Sequence, residues 1–180
     1  MPLHEIDNYF RNYDKSSYEV FSQQGAEPSM ADVTAFESRI GFRLPAEFRE
    51  FAVHPLGGLY MAVKEELWPR TRAYDIGPFW SFLYGLTIYA LSPQAPDWLQ
   101  MTNAWCRMSD NGSPQLVPFL KIIGDPDPYC FTPDQKIVIW RHENPAEVEE
   151  VAKGFSEVLM FEIRELEQRK ERRVKGEPIM

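Results

Sequence analysis

Apolar residues recur at helical spacing near both ends of this chain and cluster like strands between. Leu3, Ile6, Phe10 and Tyr13 fall three or four residues apart, with Tyr18 and Phe21 beyond, and this predicts a first helix over residues 3–23. After a Gly25-to-Pro28 loop, Ser29 and Asp32 have the spacing of a capping box, and Val33, Phe36 and Ile40 form the stripe of a second helix. Gly41 stands where a helix ends in a left-handed turn. Pro45 suits the first turn of a third helix, with Phe48, Phe51 and Ala52 on one face, and His54-Pro55 and Gly57-Gly58 stop it.

Strand patterns follow. Leu59–Val63 and the surroundings of Trp68 read as extended, and the stretches Phe79–Tyr84 and Leu86–Leu91 read as two buried strands. Pro96–Arg107, which carries Trp98, Met101 and Trp105, fits a short helix or an irregular insertion. Leu116–Ile123, Tyr129–Phe131 and Lys136–Trp140 predict three more strands, the last two joined by a Thr132-to-Gln135 turn. A long last helix is expected to begin with Asn144 as N-cap, Pro145 at N1 and Glu147 at N3, burying Val148, Val151, Phe155, Leu159, Ile163 and Leu166. From residue 167 the apolar face is lost, and a solvated helix end or frayed tail is expected over 167–180.

This order predicts an α+β fold: a mixed, mainly antiparallel sheet with helices at the N-terminus and a long C-terminal helix packed on it. At 180 residues with 44% hydrophobic and 14% aromatic content, one domain with a sizeable core is expected over 1–180, its core over 29–166. The stretch between Asp75 and Asp97 has no charge, but Gly77, Pro78, Gly85 and Pro93 interrupt it, so strands are expected rather than a membrane span. Two cysteines without CxxC spacing and an N-terminus without a secretory pattern lead to an expectation of a cytoplasmic protein.

Charge narrows the partners. Acids outnumber Lys plus Arg by 27 to 19, for a net of −8. Such a body repels phosphate backbones, and no direct nucleic-acid binding is expected; a basic protein partner is favoured.

The run Phe36–Gly58, with Gly41, Leu44-Pro45-x-x-Phe48-x-x-Phe51 and Gly57-Gly58, resembles the signature of the SUKH superfamily. That group includes the fungal cell-wall-synthesis regulator and many bacterial immunity proteins. Pro118-Phe119, Gly124-Asp125, Tyr129-Cys130-Phe131, Ile137–Trp140, His142-Glu143 and Phe155-x-x-x-Leu159 are similar to its closing strand–turn–strand–helix section. Together the likeness covers about residues 30–160. It implies a non-catalytic binding module without cofactor, most readily an immunity protein that occludes a toxin, often a nuclease. A regulatory or scaffolding adaptor of the same fold is the alternative.

On that reading the candidate partner-binding residues are acids beside aromatics: Glu65 and Glu66 with Trp68, and Asp125 and Asp127 with Tyr129. As a solvated strand end and a hairpin turn, the same residues need no partner. A third possibility is a hydrolase or ligand-binding protein using the region of His54 and His142, with Glu143, Cys106 and Cys130 as the other available groups. Cys130, between Tyr129 and Phe131, is expected to be a buried, inert thiol. No metal site is expected, because Pro126 and Pro128 interrupt the Asp125-x-Asp127 run and the Cys and His residues are scattered.

Overall fold

The backbone is an antiparallel meander in which each strand pairs with the next in the sequence. The computed structural model describes residues 2–72, 74–112 and 115–179. Its sheet runs β1(Tyr18–Ser22), β2(Leu59–Val63), β3(Gly85–Ile88), β4(Val117–Ile122), β5(Tyr129–Phe131), β6(Ile137–Trp140) and β7(Val148–Val151) in spatial order. Every pairing between these strands is antiparallel, and the single parallel feature among the described residues is the isolated bridge between Ala90 and Gln100. The helices are α1(Pro2–Asn12), α2(Met30–Ile40), α3(Ala46–Ala52), α4(Met101–Asp110) and α5(Phe155–Lys175). None of them is long and apolar enough to cross a membrane.

Period-two alternation sorts side chains to the two faces of the sheet. Met61, Leu86, Ile122 and Tyr129 stand on the face that meets α1, α3 and α5; Tyr60, Thr87, Lys121, Cys130 and Trp140 stand on the other, where α4 packs on β4. The main core lies under the three helices. Its centre is five phenylalanines, with Phe119 stacked on Phe131 at 4.1 Å and Phe48 4.9 Å from Phe131 and 5.2 Å from Phe155. All five of Phe48, Phe51, Phe119, Phe131 and Phe155 are buried.

The helical pair α2–α3 forms as its sequence requires. The Ser29 backbone N–H donates to Asp32 Oδ2 at 2.7 Å, and the Asp32 N–H donates back to Ser29 Oγ at 3.2 Å, completing the capping box. Gly41 ends α2 at φ 84°, where a side chain would be strained. Glu37 then reaches out of α2 to accept the Leu44 N–H at 2.8 Å and to meet Arg49 Nε at 3.0 Å. One buried carboxylate therefore sets both the link between the helices and the seat of α3.

Four expectations change. The surroundings of Trp68 are a turn rather than extended chain, with the Leu67 and Trp68 N–H groups donating to Lys64 O at 3.0 Å. The first helix ends at Asn12, because Asp14 turns the chain by accepting the Ser16 N–H at 2.9 Å, and Tyr18-Glu19-Val20 then alternates as an edge strand. Phe79–Tyr84 is no strand: Phe79–Phe82 form a 3-10 turn after Pro78, since β2 is already paired with β1 and β3. Asn144 caps a turn, not a helix. The Glu147 N–H donates to Asn144 O at 2.8 Å, Val148–Val151 pair with β6 as β7, and α5 starts only after Gly154, whose N–H is held by Glu157 at 2.8 Å. Of the two alternatives for the stretch from residue 167, a helix end is found rather than a frayed tail: α5 continues to Lys175, and its last turns meet the uncharged stretch after Asp75. There Arg169 Nε donates to Leu83 O at 3.3 Å and the Arg173 guanidinium lies 5.6 Å from the Trp80 ring.

Candidate functional site

The run Asp125-Pro126-Asp127-Pro128 bends at Pro126 as it enters β5, and its two residue types point to opposite sides. Both prolines line a groove on the α4 face, while both aspartates face a cleft on the α5 side. Proline fixes φ and holds the preceding residue extended, so the repeat is a rigid two-sided ribbon at the start of β5. Gly124 places it. At φ 86° it turns the β4–β5 connection so closely that an added Cβ would lie 2.5 Å from Phe82 Cβ, which packs the insertion against the hairpin.

Asp127 is the corner post. Its Oδ1 accepts the His142 backbone N–H at 3.0 Å and lies 2.7 Å from His142 Nδ1, and its Oδ2 accepts Arg141 Nη1 at 3.0 Å. Burial pushes its carboxyl upward, but the bonds from His142 and Arg141 outweigh this and hold it below the ordinary aspartate range. Arg141 also reaches Glu149 of β7. Asp125 Oδ1 accepts the Asp127 N–H at 2.9 Å. These bonds stitch the β5 entry to the β6 exit.

Helix α5 supplies the opposite wall. Tyr129 donates its hydroxyl to Glu162 Oε1 at 2.6 Å, and Phe161, Glu165 and Arg169 complete a cavity of about 180 Å³ floored by Ile122 and Ile139. Burial raises the Tyr129 hydroxyl, an effect the Glu162 carboxylate reinforces. Glu162 is itself raised by burial, partly offset by the Tyr129 bond and the charge of Arg169, while burial lowers Arg169. Phe161 stands exposed on the rim at 41%. Four carboxylates, two arginines and a rim phenylalanine thus converge where the sequence pointed only to Asp125, Asp127 and Tyr129. The partners from α5 were hidden because their helix was expected to begin near residue 145, which left its polar face unplaced.

Glu162 has a measurable signature. Its raised carboxyl means that the fold favours the protonated form, so its contribution to stability is largest below the ordinary glutamate pKa and is lost as pH rises toward the raised value. Glu162→Gln keeps an acceptor for Tyr129 and removes this titration. Urea unfolding at about pH 4 and about pH 7 is expected to show the variant gaining on the parent as pH rises. A constant or shrinking difference would contradict the assignment.

The other acidic pair is placed differently. Glu65 and Glu66 are exposed after β2 and, with Glu19, Lys64 and Arg70, border an open hollow of about 320 Å³. Trp68 does not join them. Its ring is fully buried and its indole N–H donates to Ser81 O at 3.0 Å, so it anchors the insertion from within the core and cannot serve as a surface anchor. The two cations in this hollow, Lys64 and Arg70, were not singled out by the sequence; Arg70 donates to Trp68 O at 2.8 Å and lies 3.7 Å over the Tyr84 ring.

The remaining groups are dispersed. His54 faces Asp7 of α1 at 3.3 Å, whereas His142 faces Asp127 at the end of β6. Cys130 is buried and burial pushes its thiol up; Cys106 is half-buried on α4, and both are free. Among the described residues no three His, Cys, Asp or Glu side chains are grouped to hold a metal ion.

Comparison with curated proteins and with solved structures finds no match. Comparison with protein families finds one over residues 27–160, which takes in the α2–α3 pair, the sheet from β2 to β7 and the first turn of α5. This chain therefore belongs to the SMI1 / KNR4 family (SUKH-1).

Proposed function

We propose that this chain is a non-catalytic binding module, acting in the cytoplasm as an immunity protein that neutralises a toxin by occluding its basic working surface. The observation that carries this reading is the cleft between the Asp125–Tyr129 ribbon and α5, where Asp125 and Glu165 add charge to the paired Asp127 and Glu162 beside the exposed Phe161. A nuclease groove is basic, and a rigid acidic surface with an aromatic at its edge matches it in charge and shape. The net charge of −8 adds long-range attraction, so association is expected to be fast and salt-sensitive.

Co-expression with a toxin encoded beside this chain tests the reading. The parent is expected to protect cells. The double variant Asp125→Lys, Glu165→Lys is expected to weaken the purified complex by at least about tenfold while circular dichroism stays unchanged. Failure of the parent to protect would overturn the immunity reading; recovery of a stable cellular partner instead would favour the adaptor of the same fold.

A further inference from the structure

The α4 face of the sheet carries a second groove, behind the acidic cleft and back to back with it. Pro126 and Pro128 form one wall, Trp140 and Tyr89 the floor, and Arg107 and Lys121 the charged edge, around a cavity of about 200 Å³. The alternation of strand side chains builds both sites at once: Asp127 and Arg141 face the cleft, and their neighbours Pro128 and Trp140 face the groove. The wall is stiff. Trp140 is pinned by its indole N–H to Pro145 O at 3.2 Å, and the prolines have fixed φ.

Its charge is opposite to that of the protein. Among the described residues the groove is lined by two cations and no carboxylate, in a chain with a net charge of −8. Burial raises the Tyr89 hydroxyl, and the charge of Arg107, which lines the same groove, offsets part of that rise. The volume falls below the roughly 300 Å³ at which small-molecule pockets begin, which suits a side chain or two of a longer partner. Aromatic-lined grooves recur as seats for peptides held in an extended conformation.

We propose that this groove is a second binding site, for an extended acidic peptide that seats an apolar side chain on Trp140 and Pro128 and places a carboxylate against Arg107 and Lys121. A nucleic acid meets the same two cations, but with a charge on every nucleotide it meets more repulsion from the net −8 surface than a short peptide does. The site does not depend on the toxin reading, since it uses the opposite face and different chemistry.

The test is an NMR titration of the full ¹⁵N-labelled chain with blocked acetyl-Glu-Leu-Glu-Leu-Glu-amide, its lysine counterpart and a single-stranded oligonucleotide. The acidic peptide is expected to move the amides of Arg107, Asn111 and Lys121 and the Trp140 indole N–H, and the lysine peptide to leave them in place. Arg107→Glu with Lys121→Glu is expected to weaken binding by about tenfold or more, the scale of a lost charged hydrogen bond, with Arg107→Gln with Lys121→Gln as a milder pair should the first fold poorly. Silence at millimolar peptide, equal binding of the lysine peptide, shifts confined to Asp125 and Glu162, or the same shifts with the oligonucleotide would each overturn the proposal.

Discussion

Phe48→Ala is expected to cost about 3–5 kcal/mol, a large share of the stability of a typical domain. The ring is buried at the meeting point of α3, β4, β5 and α5, touching Phe51, Phe119, Phe131 and Phe155 with centroids 4.9 to 6.4 Å apart. Truncation removes the edge-to-face contact with Phe155 and the tilted contact with Phe131 together, and none of the neighbours can close the gap without leaving the Phe119–Phe131 stack. Urea unfolding followed by circular dichroism measures the loss. Phe48→Leu is expected to recover more than half of it, because it refills most of the volume. A cost below about 1.5 kcal/mol for the alanine variant would show that the hub repacks freely.

Glu37→Ala is expected to have an effect of the same order, about 3–5 kcal/mol, by a different route. Glu37 and Arg49 are only 10% and 16% exposed in their side chains, so removing the carboxylate strands a guanidinium and also orphans the Leu44 N–H. The two losses separate experimentally. Glu37→Gln retains an acceptor for Leu44 and loses only the charge, so it should fall between parent and alanine variant. Adding Arg49→Met to Glu37→Ala should recover the part of the loss due to the stranded charge and leave that of the orphaned Leu44 N–H; additive costs in this double-mutant cycle would show that the pair is not coupled.

The same two residues show how far a sequence can be read. Phe48 and its partners were visible as core because their spacing matches a helix face or a strand, and burial follows from such periodicity. Capping was legible at Ser29–Asp32 and at Gly41, where local chemistry decides. It misled at Asn144-Pro145, because a cap-like motif also closes a turn and the pairing of β7 with β6 is a long-range fact. The buried role of Glu37 was invisible for a similar reason: its partners lie 7 and 12 residues on, across a loop whose direction no pattern gives. In the cleft, Asp125, Asp127 and Tyr129 were named from composition, whereas Glu162, Glu165 and Arg169 depended on how α5 is rotated against the sheet. Trp68 was misplaced because an aromatic beside acids has the same sequence whether it faces solvent or core.

The meander has a consequence for the order in which the chain is made. Each strand meets its sequence neighbour, so a ribosome-bound chain can extend the sheet one hairpin at a time. The lid for that sheet arrives after all seven strands, since Phe155, Val158, Leu159 and Ile163 of α5 seal the phenylalanine hub from beyond β7. Until α5 leaves the exit tunnel, the nascent sheet shows an oily face to the cell, the kind of exposure that recruits chaperones. Docking of α5, rather than strand pairing, is then the event that commits this fold.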